Sequence, residues 1–239
     1  MDNASSSLTI KLFADGADLD GMIEKSRDKN ISGLTTNPTL MRKAGIKNYT
    51  SFAKEILEEI TSKPISFEVF SDDLAEMKTQ GEIISKWAEN VYVKIPITNT
   101  KGESTHQIVN ELVKQGVKVN VTALMTVDQV RHILSALSPN VPSYVSVFAG
   151  RIADTGRDPL PIMRESLQIV SENPECELIW ASPRELLNIF QANEIGCDII
   201  TATNDILNKL HLVGYDLKEY SLDTVKMFYS DALGSGYEL

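Results

Sequence analysis

A lysine stands in the middle of the apolar segment VYVKIPIT, residues 91–98. The β-branched and apolar residues of this segment predict a short β-strand, and Lys94 is its only charged residue. Burying an ammonium in such a strand is costly unless the charge is paired or lost. A neutral amine among apolar walls is the group that forms a Schiff base with a carbonyl. Lys94 is therefore either an edge residue that reaches water or a candidate nucleophile.

The elements that would position Lys94 alternate regularly along the chain. Predicted strands cover residues 8–15, 31–36, 64–70, 91–98, 117–123, 143–149, 176–182 and 197–203. Between them, apolar residues at three- and four-residue spacing predict helices over 18–30, 49–62, 73–90, 105–116, 126–138, 159–173 and 183–196. Alternating strands and helices indicate an α/β fold with a parallel sheet, and eight strands indicate closure into a (β/α)8 (TIM) barrel. The alternative is an open doubly wound sheet, but no glycine-rich phosphate-binding motif follows the first strand.

The chain has no linker, low-complexity tract or charge block that would divide it, so we expect one domain over residues 1–239. Helical segments at 204–213 and 221–239 follow the eighth strand. We expect the last helix to close the barrel by packing on it. The alternative is that it covers the pocket of a neighbouring subunit.

Active sites of such barrels lie at the C-terminal ends of the strands. The polar residues predicted at these ends are Asp15, Thr35, Thr36, Asn37, Glu68, Lys94, Asn120, Thr122, Ser146, Arg151, Ser182 and Arg184. Taken singly, each has a structural explanation; Asp15 could cap a helix, and Glu68 could be a salt-bridge partner of Lys94. Taken together, they bring an amine, two carboxylates, amides, hydroxyls and guanidiniums to one mouth, which indicates an enzyme.

Composition and motifs narrow the class of protein. The net charge of −10 disfavours a broad surface for nucleic acid or anionic membrane. Cys176 and Cys197 have neither metal-ligand nor redox spacing, and only two cysteines in a chain of this size indicate a reducing compartment. The three histidines fall in helical segments, and zinc-protease, serine-hydrolase and nucleotide-binding motifs are absent, so we expect no metal and no cofactor. Neither a secretory signal nor a bilayer-spanning apolar run is found, and we expect a cytoplasmic protein.

Several motifs resemble those of one family over nearly the whole chain. The segment GLTTNPTLMRKAG (33–45) resembles the TTNP signature of the transaldolase family, which includes short transaldolases and fructose-6-phosphate aldolases. VYVKIPIT resembles the strand that carries the Schiff-base lysine of this family. VNVTALMT (119–126), VSVFAGRIAD (145–154) and IWASPRE (179–185) resemble its motifs on strands five, six and seven.

The resemblance implies class I aldol chemistry. Lys94 would attack the ketone of a ketose phosphate, and Asp15 would accept the hydroxyl proton when the carbon–carbon bond breaks. Glu68 and Thr122 would hold the water that serves proton transfer. The three-carbon fragment would be bound by Thr35, Asn37, Asn120 and Ser146, and the sugar phosphate by Arg151, Ser182 and Arg184.

Two positions favour the transaldolase branch of the family. Glu68 and Phe148 look like its choices, where the aldolases tend to have glutamine and tyrosine. The expected reaction is transfer of a dihydroxyacetone unit from a ketose phosphate, such as sedoheptulose 7-phosphate or fructose 6-phosphate, to an aldose phosphate. This chemistry belongs to the pentose phosphate pathway. The alternatives are an aldolase that releases free dihydroxyacetone and a non-catalytic sugar-phosphate sensor. The resemblance also implies a homo-oligomer.

The chain departs from the family pattern near these positions. Gly16 stands where the family usually has threonine, Val147 where it has proline, and Pro183 where it has phenylalanine. The segment TATN (201–204) replaces a proline-containing end of strand eight. Pro183 lies between Ser182 and Arg184, so this departure bears on the phosphate site.

Overall fold

The computed structural model describes residues 8–237, in which eight parallel strands form a closed barrel. The strands are β1 (Lys11–Asp15), β2 (Ile31–Thr35), β3 (Ile65–Glu68), β4 (Val91–Pro96), β5 (Val119–Leu124), β6 (Ser143–Val147), β7 (Cys176–Trp180) and β8 (Ile199–Thr203). Each strand pairs with the next along the chain, and β8 pairs with β1 to close the sheet. The prediction of a (β/α)8 barrel is confirmed.

Helices follow the strands around the barrel. They are α1 (Leu19–Arg27), α2 (Pro38–Lys43), α3 (Tyr49–Glu59), α4 (Leu74–Ile84), α5 (His106–Lys114), α6 (Val127–Leu134), α7 (Ala149–Asp154), α8 (Leu160–Val170), α9 (Leu187–Glu194), α10 (Asn204–Leu207) and α11 (Leu217–Ser235), with a 3-10 turn at Asn208–Leu212. Several begin at residues whose side chains accept the free backbone N–H groups of the first turn, such as Asp18, Asn48 and Asp73. The short helices α2 and α7 were not among the predicted elements.

An aromatic layer closes the N-terminal end of the barrel interior. The rings of Tyr92 and Tyr144 stack with centroids 4.1 Å apart, and Phe13 meets Tyr144 edge-on. Gly33 lies beside this layer, where a Cβ atom would stand 2.4 Å from the Phe13 ring. Glycine is therefore needed on β2 to make room for Phe13. Together the rings form the floor of the interior.

The residues one layer above this floor are polar. Successive side chains of a strand point to opposite faces, so the residue two positions after each floor residue also points inward. On β1 this places Asp15 above Phe13, on β4 Lys94 above Tyr92, and on β6 Ser146 above Tyr144. The strand pattern thus delivers an apolar floor and a reactive layer from the same three strands.

The C-terminal helix α11 does not pack on the barrel. None of its residues is buried, and its large apolar side chains Leu217, Leu222, Val225, Phe228 and Leu233 are more than half exposed. The expectation that this helix closes its own barrel is therefore wrong. Within residues 8–237, no helix is long and apolar enough to cross a membrane.

Candidate active site

A cavity of about 430 Å³ opens at the C-terminal ends of the strands. Of the residues predicted for the site, those that line it are Asp15, Thr35, Asn37, Glu68, Lys94, Thr122, Ser146, Phe148, Arg151, Ser182 and Arg184. Asn120 is not among the lining residues. The volume suits a small-molecule ligand.

Lys94 is the central cation of this cavity. It is 6% exposed, and its Nζ lies 3.1 Å from Oε2 of Glu68 on the neighbouring strand. The same Nζ donates a hydrogen bond of 3.1 Å to the backbone carbonyl of Thr36. The Glu68 carboxylate stabilises the buried Lys94 ammonium. Loss of one proton from the ammonium would leave a nucleophilic amine in place. Lys94 is thus an interior residue and not an edge residue that reaches water.

Asp15 provides a second carboxylate at the same level. Thr35 donates a hydrogen bond of 2.8 Å to its Oδ1, and the Thr35 hydroxyl lies 2.5 Å from that of Thr201. Burial raises the pKa of the Asp15 carboxyl above its ordinary value of 3.8; the charge of Lys94 and the Thr35 hydrogen bond oppose this rise, and Glu68 adds to it. A carboxyl with a raised pKa beside a cation is suited to take and return protons.

Two hydroxyls near Lys94 differ in how they are bonded. The Thr122 hydroxyl is buried and has no hydrogen-bond partner among residues 8–237, so its full capacity is available to a ligand or a water. Ser146, by contrast, donates a hydrogen bond of 2.7 Å to Oδ1 of Asn120, and Asn120 donates one of 3.0 Å to Ser66. Asn120 therefore supports Ser146 from beneath the cavity. It is fully buried, which explains why it is not among the lining residues.

Two arginines line the cavity near the ends of β6 and β7. Arg151 lies in α7, and Arg184 lies in the segment after β7. An ion pair joins Arg184 to Asp154, and the Arg184 backbone N–H donates to Asn188 at 2.8 Å. Arg184 is thus held at both ends while keeping further N–H donors free. A pair of guanidiniums in this position is suited to a phosphate.

The turn after β7 brings Ser182 close to the start of α7. Ser182 has a left-handed backbone conformation with φ of 58°, and its carbonyl lies so near Gly150 that a Cβ atom there would stand 1.6 Å from the oxygen. Glycine at position 150 is therefore required for this approach. Pro183, one of the departures from the family pattern, is buried and lines the cavity next to Ser182.

Two further predicted residues shape the cavity wall. The side-chain oxygen of Asn37 accepts the backbone N–H of Leu40 and so begins α2, which leaves the Asn37 amide donors for a ligand. Phe148 is partly buried against a cluster of apolar side chains in the barrel interior and lines the cavity. The other departures are accommodated locally: Val147 is fully buried, and a side chain at Gly16 would meet Met22 only at an ordinary contact distance of 3.7 Å.

Several residues of the site were not singled out from the sequence. Thr201 lines the cavity, Asp154 and Asn188 hold the lining residue Arg184, and Ser66 accepts a hydrogen bond from Asn120 beneath the cavity. The alternation of β8 contains a signal for Thr201, because positions 199, 201 and 203 share one face and two of them are threonines. Partners such as Asp154 leave no comparable pattern. Among residues 8–237, no group of three or more histidine, cysteine, aspartate or glutamate side chains is arranged to hold a metal ion.

The chain is similar to known proteins over most of its length. The model of the transaldolase/fructose-6-phosphate aldolase family matches residues 12–234. A probable transaldolase of Dehalococcoides mccartyi is 35% identical over 202 residues, which is 84% of this chain and 90% of the relative. Probable transaldolases of Methanococcus maripaludis (36% identical, 84% of this chain and 89% of the relative) and Thermoanaerobacter sp. (34%, 91% and 95%) are similar to it as well. The chain belongs to the transaldolase/fructose-6-phosphate aldolase family.

Proposed function

We propose that the protein is a transaldolase that transfers a dihydroxyacetone unit from a ketose phosphate to an aldose phosphate through a Schiff base on Lys94. The observation that carries this proposal is the buried Lys94 amine, which lies beside Glu68 in a cavity that Asp15 also lines. A non-catalytic sensor would need phosphate and hydroxyl contacts but no buried amine between two carboxylates. The names of the curated relatives and the family match support the same activity.

The reaction begins at the substrate ketone. The neutral Lys94 amine adds to the carbonyl carbon, and loss of water gives a protonated imine. Glu68 lies 3.1 Å from the amine, and the Thr122 hydroxyl is unpartnered among residues 8–237, so both are available to hold the water of these proton transfers. The positive imine then withdraws electrons from the neighbouring carbon–carbon bond.

Asp15 acts on the hydroxyl of the carbon that leaves. Its carboxylate takes the hydroxyl proton, the carbon–carbon bond breaks, and the bonding electrons pass to the imine to give an enamine on Lys94. The aldehyde product departs. In the second half, the enamine carbon attacks an acceptor aldehyde, the proton on Asp15 goes to the new hydroxyl, and water releases the product ketose from Lys94.

The remaining lining residues hold the substrate. Asn37 and Ser146 face the three-carbon fragment, Asn120 fixes Ser146, and Thr35 lies on the same wall. At the other end, Arg151, Ser182 and Arg184 bind the phosphate, for which the planar donor fork of arginine is well suited. Sedoheptulose 7-phosphate and fructose 6-phosphate are donors of this class, and a role in the pentose phosphate pathway is part of the proposal.

Phe148 favours transfer over release of dihydroxyacetone. A tyrosine at this position would offer a hydroxyl to protonate the enamine, which ends the reaction as an aldolase. A phenylalanine ring has no proton to give, so the enamine persists until an acceptor arrives. The choice of Glu68, where the aldolases tend to have glutamine, agrees with this assignment.

The setting of the enzyme is part of the same proposal. A single domain over residues 1–239 carries the activity without a cofactor, and the two buried free thiols, Cys176 and Cys197, suit a reducing cytoplasm. The exposed apolar residues of α11 support a homo-oligomer, since a helix with so much apolar surface is stabilised by burial against another copy.

Acceptor dependence tests the proposed activity. Purified protein is given fructose 6-phosphate with and without erythrose 4-phosphate, and sedoheptulose 7-phosphate and free dihydroxyacetone are both measured. We expect sedoheptulose 7-phosphate only when the acceptor is present, with little free dihydroxyacetone in either case. Steady production of free dihydroxyacetone without an acceptor would contradict transfer and support the aldolase.

A further inference from the structure

The side chains of Asp15, Thr35 and Thr201 meet where β8 pairs with β1 to close the barrel. Asp15 on β1 lies in register with Thr35 on β2 and with Thr203 on β8. The Thr35 hydroxyl lies 2.8 Å from Asp15 Oδ1 and 2.5 Å from the hydroxyl of Thr201, which is also on β8. Thr35 and Thr201 are 2% and 6% exposed, so little water competes for these hydrogen bonds. The three residues form a continuous chain from β8 to the carboxylate.

The ionised form of Asp15 sets the direction of this chain. An ionised carboxylate only accepts hydrogen bonds, so the single hydroxyl proton of Thr35 must point to Asp15. The contact between Thr35 and Thr201 then needs the proton of Thr201. Thr201 therefore donates to Thr35, and Thr35 donates to Asp15. When Asp15 is protonated, its own proton can point to Thr35 and this order is no longer imposed.

We propose that Thr201 is a positioning residue that aligns the Thr35 hydroxyl with the Asp15 carboxylate and so favours the ionised form of Asp15. The inference rests on the proposed function, in which this carboxylate takes the substrate proton. A donor that points into the Thr35 oxygen also polarises its O–H group, which strengthens the bond to Asp15. The Thr35 hydrogen bond already lowers the pKa of Asp15 against the effect of burial. Thr201 acts through Thr35 and has no contact with Asp15 among the hydrogen bonds of the site.

The strand offers a matched control. Thr203 is the same residue type, lies two positions further on the same face of β8 and lines the same cavity. Its side chain makes no capping hydrogen bond to α10 and no bond to the Thr35 hydroxyl. A threonine-to-valine change has nearly the same shape at both positions, but only the change at 201 removes a donor from the chain.

The test is the pH dependence of kcat/KM for the transfer reaction, which reports the ionisation of Asp15 in the free enzyme. We expect Thr201→Val to move the acid limb of the profile to higher pH by roughly 0.1 to 0.6 unit, because cooperative strengthening is a fraction of one charged hydrogen bond. Thr201→Ser keeps the donor and should restore the wild-type limb. Thr35→Val should move it further, by about 1 to 2 units, and Thr203→Val should leave it in place. An unmoved limb in Thr201→Val, or an equal movement in Thr203→Val, would overturn the proposal.

A second measurement separates this inference from the proposed function. The stability of Thr201→Val and the wild type is compared by urea unfolding from pH 4 to pH 8, without any substrate. If Thr201 favours the ionised carboxylate, the variant should lose more stability at pH 8, where Asp15 is ionised, than at pH 4. A loss that is equal at both pH values would assign Thr201 a packing role only. If the wild type shows no transfer but this pH dependence is present, the proposed function fails and the role of Thr201 stands.

Discussion

The ammonium of Lys94 and the carboxylate of Glu68 lie 3.1 Å apart, at paired positions of β4 and β3. Glu68 keeps 17% of its side-chain surface exposed, whereas Lys94 keeps 7%. Both side chains line the cavity, and the amine is the more shielded of the two. This is the arrangement that a Schiff-base enzyme needs, since the amine must be shielded while its proton can leave through the carboxylate.

Removing the Glu68 charge should weaken both the fold and the reaction. In Glu68→Gln the buried ammonium loses its carboxylate partner, and we expect a loss of about 1–3 kcal/mol in the free energy of unfolding. The double substitution Lys94→Met with Glu68→Gln removes both charges and should recover part of this loss. Urea unfolding of the wild type, Glu68→Gln, Lys94→Met and the double variant measures this recovery. A Glu68→Gln variant as stable as the wild type would show that the pair is energetically unimportant.

We expect the ionised Asp15 carboxylate to lower the stability of the fold at neutral pH while it serves the reaction. The raised pKa of Asp15 means that the folded chain keeps this proton to a higher pH than the unfolded chain. Stability therefore falls as the pH rises from the ordinary aspartate value of 3.8 through the higher folded value. Asp15→Asn has no such ionisation, so it should be more stable than the wild type at pH 7, with a smaller difference near pH 4.

Activity and thermal unfolding check the Asp15 prediction together. We expect kcat of Asp15→Asn to fall by about 10²–10⁴-fold, the usual contribution of a general acid–base group. The difference in melting temperature should grow between pH 4 and pH 7. A difference that stays constant over this range would mean that the ionisation of Asp15 is not penalised by burial.

The ring at position 148 should control what happens to the enamine. Phe148→Tyr adds a hydroxyl inside the cavity, and we expect free dihydroxyacetone to rise about tenfold relative to transferred product. Phe70→Tyr adds the same hydroxyl at a residue that is 65% exposed and outside this cavity, so its product ratio should stay at the wild-type value. The same ratio of free dihydroxyacetone to transferred product in the wild type and both variants would show that Phe148 does not control the fate of the enamine.

The guanidinium of Arg184 should recognise the phosphate and not the sugar. Arg184→Ala removes a charge-assisted donor worth about 1.5–3 kcal/mol, so KM for erythrose 4-phosphate should rise by roughly 10–150-fold. The unphosphorylated acceptor erythrose lacks that contact and should be affected far less. Arg131→Ala removes an arginine that pairs with Glu165 on the outside of the barrel and serves as the control. A similar rise in KM for both acceptors would show that Arg184 does not read the phosphate.

Much of the barrel could be predicted from the sequence, because its signals are local. The strands alternate with helices of clear periodicity, and Lys94, Glu68 and Asp15 fall at strand ends that barrel closure must bring together. The six-residue helices α2 and α7 span fewer than two turns, which is too short for a periodic signal.

The features that were missed depend on contacts between distant parts of the chain. The hydrogen bond between Thr201 and Thr35 joins residues 166 positions apart, and the pair of Arg184 with Asp154 joins the segment after β7 to the last residue of α7. The amide of Asn120 donates to Ser66 and accepts from Ser146, and these partners are set by the fold and not by the pattern of β5. The pattern of α11 shows that it is a helix, and only the tertiary structure shows that its own barrel does not cover it.

Reductive trapping shows whether Lys94 forms a Schiff base with the substrate. The protein is incubated with fructose 6-phosphate, reduced with borohydride, digested and analysed by mass spectrometry, with Lys94→Met and Lys118→Met treated in parallel. We expect a reduced three-carbon adduct on the peptide that contains Lys94 in the wild type and in Lys118→Met, and no adduct in Lys94→Met. Folded wild-type protein that yields no adduct on Lys94 would contradict a mechanism through a Schiff base on this residue.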